Sequence, residues 1–366
     1  SAIVDSNVTT IIAALFLYWF GTGPIRGFAT TLIAGILASM FTAVFVTRVI
    51  FDFLIGTGQL KGLPMAHLIG DTKFDFIGKR HICYALSALV IIVGAVAFIQ
   101  RGSQRYGIDF TGGLLQEYRF SQPLAADQVR ATLGKVGLGD AVIQEFGSPT
   151  EWLIRTPDDS EAEIQDTMTR TREALYAEYG EAGAPELARV ERVGPTVGSI
   201  LRQKAWLAIA WSMLGILLYV AFRFRHFDFG LAGVIAIIHD VIVAVGFLCL
   251  TGRSIDLIVV AALLTIAGFS INDTIVIYDR VRENLRASRK VDLPQIINLS
   301  VNQTLGRTLL TSLTVVFEVL ALYFFGGEVL HDFAFCLLIG FVSGVYSTVY
   351  IASAFVITWR RLFTPA

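Results

Sequence analysis

Eight apolar segments, each long enough to cross a bilayer as a helix, constrain the fold of this 366-residue chain more than any other feature of its sequence. A transmembrane helix needs about 20 apolar residues, because the hydrocarbon core is about 30 Å thick. The composition agrees, since 54% of the residues are hydrophobic, 16% are charged and the mean hydropathy is +0.64. The predicted spans are residues 1–20, 28–54, 82–100, 204–222, 229–250, 256–279, 305–325 and 332–358. The sequence therefore predicts a polytopic α-helical membrane protein.

One soluble segment, residues 102–198, interrupts the spans between the third and the fourth. Its predicted elements follow in the order β, α, β, β, α, β, which is typical of a ferredoxin-like α+β domain. They are a strand at 109–120, a helix at 125–136, strands at 141–146 and 151–155 around a Gly-Ser-Pro turn at 147–149, a helix at 161–179 and a strand at 186–193. The segment shows no catalytic cluster, and we interpret its many Asp and Glu residues as a solvated face.

Lysine and arginine residues in the short loops set the predicted orientation. One side of the bundle, called the basic side from here on, carries Lys61, Lys73, Lys79, Arg80, Arg223, Arg225, the run of basic residues at 280–290, Arg360 and Arg361. The short loops of the other side carry little beyond Arg26 and Arg253. The basic side is therefore predicted to be cytoplasmic, and residues 102–198 are predicted to be extracytoplasmic.

The first two spans recur in the last two after a shift of 305 residues, without a gap. Leu15, Leu17, Tyr18, Phe20 and Gly21 match Leu320, Leu322, Tyr323, Phe325 and Gly326, and Phe28, Ala29 and Gly35 match Phe333, Ala334 and Gly340. Both copies start on the same side, which predicts a parallel repeat like that of transporters built from two similar halves. By this symmetry the second half is complete, the first half contributes only its last two spans, and residues 55–80 connect the halves.

Asp273 is the first candidate for chemistry, because it lies within an apolar span, where an unpaired carboxylate is costly. Arg307 lies near the inner end of the next span, so the two residues are expected at similar depth on antiparallel helices and able to pair. A neighbouring cation favours the ionised carboxylate, whereas apolar surroundings favour the neutral one. We interpret the pair as a protonation switch, and the alternative is a permanent ion pair that locks two helices together.

His239 and Asp240 are the second candidate, in the middle of the 229–250 span. This pair suits a proton relay, and equally a structural hydrogen-bonded pair between helices. Three residues are secondary candidates. Glu318 either continues the proton path outward or faces a wet groove, Asp5 is predicted to make a polar contact between helices, and Asn272 adjoins Asp273.

Several kinds of site are not indicated by the sequence. It has no Walker A motif, no HExxH zinc pair and no basic tract for nucleic acid, so neither a cofactor nor a metal is expected. Gly340 and Gly344 form a single GxxxG motif, which we interpret as close packing inside the bundle and not as a dimer face. The cysteines lie in apolar spans and predict packing positions without disulfides: Cys83, Cys249 and Cys336.

Several segments resemble the SecD/SecF protein-export family, which is related to the RND transporters. SecF-like segments are Gly107-Ile-Asp-Phe-Thr-Gly-Gly113, His239-Asp240-Val241, residues 270–283, and Gln303-Thr304 with Arg307-Thr308. Residues 1–54, with the motifs at 5–10 and 23–29, resemble the C-terminal end of SecD. The expected arrangement is a SecDF fragment, with SecD-like spans in 1–54, a cytoplasmic connector in 55–80, a first SecF-like span in 81–101, the soluble domain in 102–198 and a five-span bundle in 199–366.

The resemblance implies an accessory subunit of the Sec preprotein translocase, and not an enzyme. Such a subunit would use the proton motive force to assist protein export across the bacterial cytoplasmic (inner) membrane. The implied partners are the SecYEG channel, SecA, YidC, unfolded preprotein, the remaining SecD portion and membrane lipid. The family's proton-path residues would fall on Asp273 and Arg307. The SecD segment with its own membrane aspartate is missing here, so this chain is not expected to be a competent proton-coupled machine alone.

Two other functions compete with this interpretation. A proton-driven RND exporter of lipid or small molecules would share the repeat and the buried carboxylates, but it would need an apolar pocket in residues 102–198. An intramembrane hydrolase would have two aspartates available, but the sequence lacks a GxGD-type motif. A purely structural scaffold is a further alternative.

Overall fold

A computed structural model of the chain describes residues 2–21, 23–59, 70, 72–139, 141–146, 148–156, 161–183, 185–224, 227–287, 291–327 and 330–363. The chain divides into two compact units. The helical unit comprises Ser1–Gln100, Leu207–Thr251 and Ile258–Ala366, and the sheet unit comprises Arg101–Trp206 and Gly252–Leu257. The predicted soluble domain at 102–198 lies within the sheet unit.

The described residues form thirteen α-helices and four β-strands. The helices are α1 Ala2–Phe20, α2 Gly23–Phe41, α3 Thr47–Gly56, α4 Arg80–Gln100, α5 Ile108–Thr111, α6 Ala126–Gly134, α7 Glu161–Gly183, α8 Pro195–Phe224, α9 Phe227–Leu250, α10 Leu257–Ala287, α11 Leu293–Phe325, α12 His331–Ser347 and α13 Ser353–Phe363. The strands are β1 Gly113–Arg119, β2 Val142–Phe146, β3 Ser148–Thr156 and β4 Glu186–Val193. Among the described residues, eight helical segments are long and apolar enough to cross a membrane, which confirms the predicted fold class.

Equivalent positions of the predicted repeat adopt the same local structure. Gly21 and Gly326 follow α1 and α11, and each backbone N–H donates to the carbonyl four residues earlier at 2.8 Å. A Cβ atom at either glycine would lie 2.3 Å from that carbonyl oxygen, so any other residue would force the turn to shift. The rings of the matched pair Phe28 and Phe333 lie 5.6 Å apart. The repeat in the sequence is therefore a repeat in the structure of the helix ends.

Both copies of the repeat also contain a π-helical turn, Thr42–Val46 before α3 and Thr348–Ala352 before α13. In each copy a hydroxyl bonds to the carbonyl five residues earlier, from Thr47 to Thr42 at 3.0 Å and from Ser353 to Thr348 at 2.9 Å. Each bond gives a partner to a backbone carbonyl of the widened turn. An unpaired carbonyl would be costly in apolar surroundings.

Helices α9 and α10 lie in the core of the helical unit, and more than half of the residues of each are buried. Glycine permits the closest approaches in this core. The Cβ of an alanine at Gly246 would lie 2.8 Å from the Cα of Gly94, so α4 and α9 meet backbone to backbone. Gly340 packs on Ile266 and Gly344 on Ser270, which places the GxxxG motif inside the bundle, as predicted.

Residues 72–79 of the predicted connector are bound to α11 on the basic side. The side chain of Asn302 accepts a hydrogen bond from the backbone N–H of Phe74 at 2.9 Å and donates to its carbonyl at 2.9 Å. Asn298 accepts from the N–H of Phe76, whose ring packs on Tyr350 at 5.6 Å. Residues 60–69 and 71 of the connector lie outside the described residues.

The sheet unit has the strand order β2-β3-β1-β4 with every neighbouring pair antiparallel. This order, with α6 and α7 as the crossover helices, is the predicted ferredoxin-like topology. One prediction was wrong, because residues 109–111 belong to the short helix α5 and the strand begins only at Gly113. Glycines 112 and 113, with φ of 75° and 115°, turn the chain between the two elements. The predicted turn residue Gly147 lies outside the described residues.

The loop before α10 belongs to the sheet unit and is bound to it by backbone contacts. Ile255 exchanges hydrogen bonds with Arg105 and Gly107 at 2.8 and 2.9 Å. The carboxylate of Asp109 accepts a bond from the N–H of Leu257, the first residue of α10, at 3.0 Å. Burial raises the pKa of Asp109, and this backbone bond opposes the rise. The aspartate of the Gly107–Gly113 motif therefore caps the helix that carries Asp273.

Candidate proton site

Four aspartate side chains are buried in the described part of the helical unit. They are Asp5, Asp228, Asp240 and Asp273, none of them more than 8% exposed. A buried carboxylate is costly unless cations or hydrogen-bond donors compensate its charge. The number of compensating groups around each carboxylate therefore indicates which of them is held permanently ionised.

Asp5 of α1 is paired with a cation. Arg223 of α8 donates to both of its carboxylate oxygens at 2.7 Å, and Tyr219 donates to one of them at 2.8 Å. Two parallel guanidinium bonds are the strongest arrangement for an ion pair. The polar contact predicted for Asp5 is formed, and its partner is α8.

Asp228, near the start of α9, is also paired with an arginine. Arg360 of α13 donates to its carboxylate at 2.6 Å and also lies over the ring of Phe229, 5.4 Å from the ring centroid. Both ion pairs use arginines that the loop pattern assigned to the basic side. These arginines therefore join helix ends in addition to setting the charge of that side.

Asp240 is fully buried and is surrounded by hydroxyl groups. Ser343 donates to one carboxylate oxygen at 2.6 Å, and Ser270 and Ser347 donate to the other, each at 2.7 Å. His239 Nδ1 lies 3.1 Å from the first oxygen. We call these three serines the serine cluster. It connects α9, α10 and α12, and it compensates the carboxylate with hydrogen-bond donors and not with a formal cation.

His239 extends this cluster towards α4. Its Nε2 lies 3.1 Å from Ser87 Oγ, which is 3.2 Å from the hydroxyl of Tyr346, and Tyr346 donates to the carbonyl of Cys83 at 2.7 Å. The single hydroxyl proton of Tyr346 is donated to the carbonyl of Cys83. The hydroxyl of Ser87 therefore donates to Tyr346 and accepts from His239 Nε2. Both predicted roles, structural pair and relay, are compatible with this geometry.

Asp273 has far fewer compensating groups. Its carboxylate is 8% exposed and receives one hydrogen bond, from Ser312 of α11 at 3.2 Å. In the described part of the chain no ion pair joins it to Arg307, although the two charges interact electrostatically. Asp273 is therefore the least compensated of the four buried aspartates.

The direct Asp273–Arg307 contact that the sequence suggested is not formed in this conformation. Arg307 is exposed on α11, whereas Thr308 and Ser312 of the same helix are buried. Positions 307 and 312 lie about 140° apart around a helix of 3.6 residues per turn, so only one of them can face Asp273. Asp273 and Arg307 were predicted at similar depth in the membrane, but depth alone does not show which face of α11 meets Asp273. Hydropathy does not distinguish the face of Arg307 from the face of Ser312.

The secondary candidates lie apart from this contact. Glu318 is exposed on the face of α11 that carries Arg307, and Asn272 is half-buried beside Asp273 on α10. Neither makes a hydrogen bond with another candidate among the described residues. The same residues include no group of three His, Cys, Asp or Glu side chains suited to a metal ion.

Several residues around the candidate site were missed by the sequence interpretation. The serine cluster, Ser87 and Tyr219 are ordinary residues in apolar spans, and none attracts attention alone. The spacing of Ser343 and Ser347, four residues apart on α12, was the available signal, since such residues share a helix face. Their common partner on another helix could be identified only from the structure.

Comparison with known proteins gives consistent matches. A sequence profile described as protein export membrane protein SecD/SecF, C-terminal, matches residues 173–362. The chain is 42% identical over 290 residues to protein translocase subunit SecF of Desulfurispirillum indicum, covering 78% of this chain and 91% of that protein. It is 38% identical over 365 residues to protein translocase subunit SecDF of Thermus thermophilus, covering 98% of this chain and 48% of that protein.

Solved structures agree with the sequence matches. The crystal structure of SecDF from Thermus thermophilus, described as a translocon-associated membrane protein, aligns with a TM-score of 0.88 at 36% identity over 98% of this chain. A second SecDF structure, in a super-membrane-facing form, aligns with a TM-score of 0.73 over 99% of this chain. The chain spans 48% of each of these two SecDF chains.

Proposed function

Because the chain belongs to the SecD/SecF family of protein export membrane proteins, we propose that it serves the Sec translocase and couples proton movement through its helical unit to protein export. The names of the SecF and SecDF relatives support the translocase role. The proton coupling is supported by the buried carboxylate of Asp273, which receives only one hydrogen bond among the described residues. This role is transport and not catalysis of a covalent reaction.

One observation carries the proton-coupling proposal. Three of the four buried aspartates have an arginine partner or four surrounding donors, whereas Asp273 has one hydroxyl donor. A fully compensated carboxylate keeps its charge, but a sparsely compensated one can exist in either protonation state. Asp273 is therefore the residue at which a proton can bind and leave during a cycle.

Protonation of Asp273 would change its contact with α11. The ionised carboxylate accepts from Ser312, and it attracts the Arg307 guanidinium electrostatically. A neutral carboxyl group loses that attraction, so the preferred positions of α10 and α11 differ between the two states. Helix α10 begins in the loop that the sheet unit binds through Asp109, and this loop is the route by which helix movement would reach the sheet unit.

The energy source would be the proton motive force across the bacterial inner membrane. A membrane potential of 100 mV is worth about 2.3 kcal/mol for each charge that crosses. In this proposal the basic side is cytoplasmic and the sheet unit contacts unfolded preprotein on the opposite side. SecYEG, SecA and YidC are the proposed partners in the translocase.

The exposed face of α11 is proposed as the surface for the remaining SecD portion. Four polar side chains are exposed there within a mostly apolar span: Arg307, Thr311, Thr314 and Glu318. Polar residues in a span normally face protein or water and not lipid. Binding of the other half of the repeat would bury these residues and bring a second set of side chains close to Arg307.

The test measures proton conductance in right-side-out vesicles that carry this chain together with the remaining SecD portion. An unfolded preprotein is present. The wild type is compared with Asp273→Asn, which keeps the side-chain shape and cannot exchange a proton. Asp228→Asn is the matched control, because Asp228 is equally buried but already paired. We expect preprotein-dependent conductance in the wild type and the control and none in Asp273→Asn.

Equal conductance in the wild type and Asp273→Asn would contradict the proposal. Asp273 and Ser312 would then be a structural contact between helices. The His239–Asp240 pair would become the candidate for the proton relay.

A further inference from the structure

Four buried hydroxyl side chains form a stripe along the side of α11 that packs on α10. They follow each other at four-residue spacing, and none is more than 8% exposed: Ser300, Thr304, Thr308 and Ser312. We call this set the hydroxyl stripe. Each step corresponds to about 6 Å along the helix axis, so the stripe extends over three helical turns.

Both ends of the hydroxyl stripe are bound to polar groups of α10. Ser312 donates to Asp273 at 3.2 Å, and Ser300 accepts a bond from Asn284 at 2.9 Å. Asn284 also donates to Gln303 at 2.9 Å, and Gln303 is exposed near the basic end of α11. The stripe therefore connects the sparsely compensated carboxylate with an exposed polar group on the basic side.

The surroundings of the stripe are apolar. Ile277 and Val281 of α10 and Val301 and Leu305 of α11 are buried in the same hydrophobic cluster. A hydroxyl group without a partner in such surroundings costs about 1–3 kcal/mol. Valine would pack at the position of Thr308 without that cost, so packing alone does not explain its hydroxyl group.

Thr308, at the third position of the stripe, has no hydrogen-bond partner in the described part of the chain. Its side chain is 1% exposed and its Oγ1 atom is buried. Ser300 and Thr304 differ, because their hydroxyls donate to backbone carbonyls one turn earlier, at 2.8 and 2.9 Å. Those two hydroxyls offer lone pairs, whereas Thr308 has both its proton and its lone pairs available.

We infer that the hydroxyl stripe guides protons between Asp273 and the basic side, with the Thr308 hydroxyl as the relay point next to the carboxylate. The ligand of the stripe is water, which both donates and accepts hydrogen bonds. In each proton transfer between a water molecule and the next oxygen, one O–H bond breaks and another forms. One proton therefore moves and no other covalent bond changes. Ser300 and Thr304 position water by accepting from it, and Thr308 both accepts and donates. This inference rests on the proposed role of Asp273.

The experiment uses the same vesicles and compares three variants with the wild type. Thr308→Val removes the hydroxyl and keeps the shape, Thr308→Ser keeps the hydroxyl, and Thr30→Val removes an exposed hydroxyl from α2. We expect Thr308→Val to lower proton conductance about tenfold or more, because positioned proton-transfer groups contribute about 10²-fold or more. Thr308→Ser and Thr30→Val should conduct like the wild type.

Thermal unfolding of each variant separates a proton-transfer role from a structural one. The Thr308 hydroxyl has no partner to lose, so Thr308→Val should unfold at the same temperature as the wild type or higher. A lower unfolding temperature for Thr308→Val, or undiminished conductance, overturns the inference. If Asp273→Asn does not conduct protons while Thr308→Val conducts like the wild type, the proposed function stands and the proton route along the hydroxyl stripe is wrong. If Asp273→Asn conducts, the proposed function itself fails.

Discussion

Replacement of Asp240 by leucine tests whether the serine cluster stabilises the bundle. Leucine has the branching of aspartate, so Asp240→Leu removes the acceptor oxygens and places two methyl groups near their positions. Three serine hydroxyls then lose their acceptor inside a fully buried site. Ser347 has a second acceptor, the carbonyl of Gly344 at 3.2 Å, and is partly compensated.

The expected loss of stability follows from the hydroxyls that remain unpaired. Ser270 and Ser343 have no other acceptor among the described residues, and a buried unsatisfied group costs about 1–3 kcal/mol. Asp240→Leu should therefore lower the free energy of unfolding by about 2–6 kcal/mol. The loss of the His239 contact would add to this value.

A compensating variant makes the prediction sharper. Removal of both sides of a buried polar contact is often nearly neutral, because no group remains unpaired. Asp240→Leu combined with Ser270→Ala, Ser343→Ala and Ser347→Ala should therefore recover most of the lost stability. The measurement is reversible unfolding in detergent, or the thermal midpoint where unfolding is irreversible, for the wild type, the single variant, the triple serine variant and the combination.

Two outcomes would refute this reasoning. A single Asp240→Leu variant as stable as the wild type would show that the serine cluster contributes little. A combined variant no more stable than the single variant would show that the loss comes from packing and not from unpaired hydroxyls. Proton conductance of the stable combination also decides the role of His239, since a relay through this pair would be abolished and a structural pair would leave conductance intact.

Two further variants test the helix contacts around the site. Asp5→Ala should lower the free energy of unfolding by about 2–3 kcal/mol, because it leaves the partly buried guanidinium of Arg223 unpaired. Thermal unfolding in detergent measures this change, and an unchanged unfolding midpoint would show that the pair is dispensable. Gly246→Ala should cost about 1–3 kcal/mol, because its Cβ would lie 2.8 Å from the Cα of Gly94; undiminished stability in the same assay would show that α4 and α9 separate easily.

The spans and the domain order could be predicted from sequence because they depend on averages over many residues. Hydropathy over about 20 residues and the alternation of strands and helices both tolerate local errors. The error at residues 109–111 is a local one. Gly107-Ile-Asp-Phe-Thr-Gly-Gly113 has β-favouring residues, but the positive φ angles of Gly112 and Gly113 form a turn that separates a short helix from the strand. Propensity alone does not show which glycines adopt such angles.

Some residues of the candidate site could be selected from the sequence, but their contacts could not. Asp273, Arg307 and the His239–Asp240 pair could be selected because charged residues are rare in spans. Their partners could not be identified, because the choice between Arg307 and Ser312 depends on the rotation of α11 about its axis. Helix α11 has polar residues on two faces, one with Arg307 and Glu318 and one with Thr308 and Ser312, and its sequence does not show which face meets Asp273.

The distribution of compensating groups explains why a bundle with four buried aspartates can still contain one switch. The pairs of Asp5 with Arg223 and of Asp228 with Arg360 join α1 to α8 and α9 to α13, and their charges are held by guanidinium groups that stay protonated. A change in the protonation of Asp273 would therefore act on a bundle whose other polar contacts remain formed. Movement would be concentrated at the part of the α10–α11 contact around Asp273, where one hydroxyl bond of 3.2 Å resists it. A more fully compensated Asp273 would bind the two helices more firmly, and it could not release and regain a proton in each cycle.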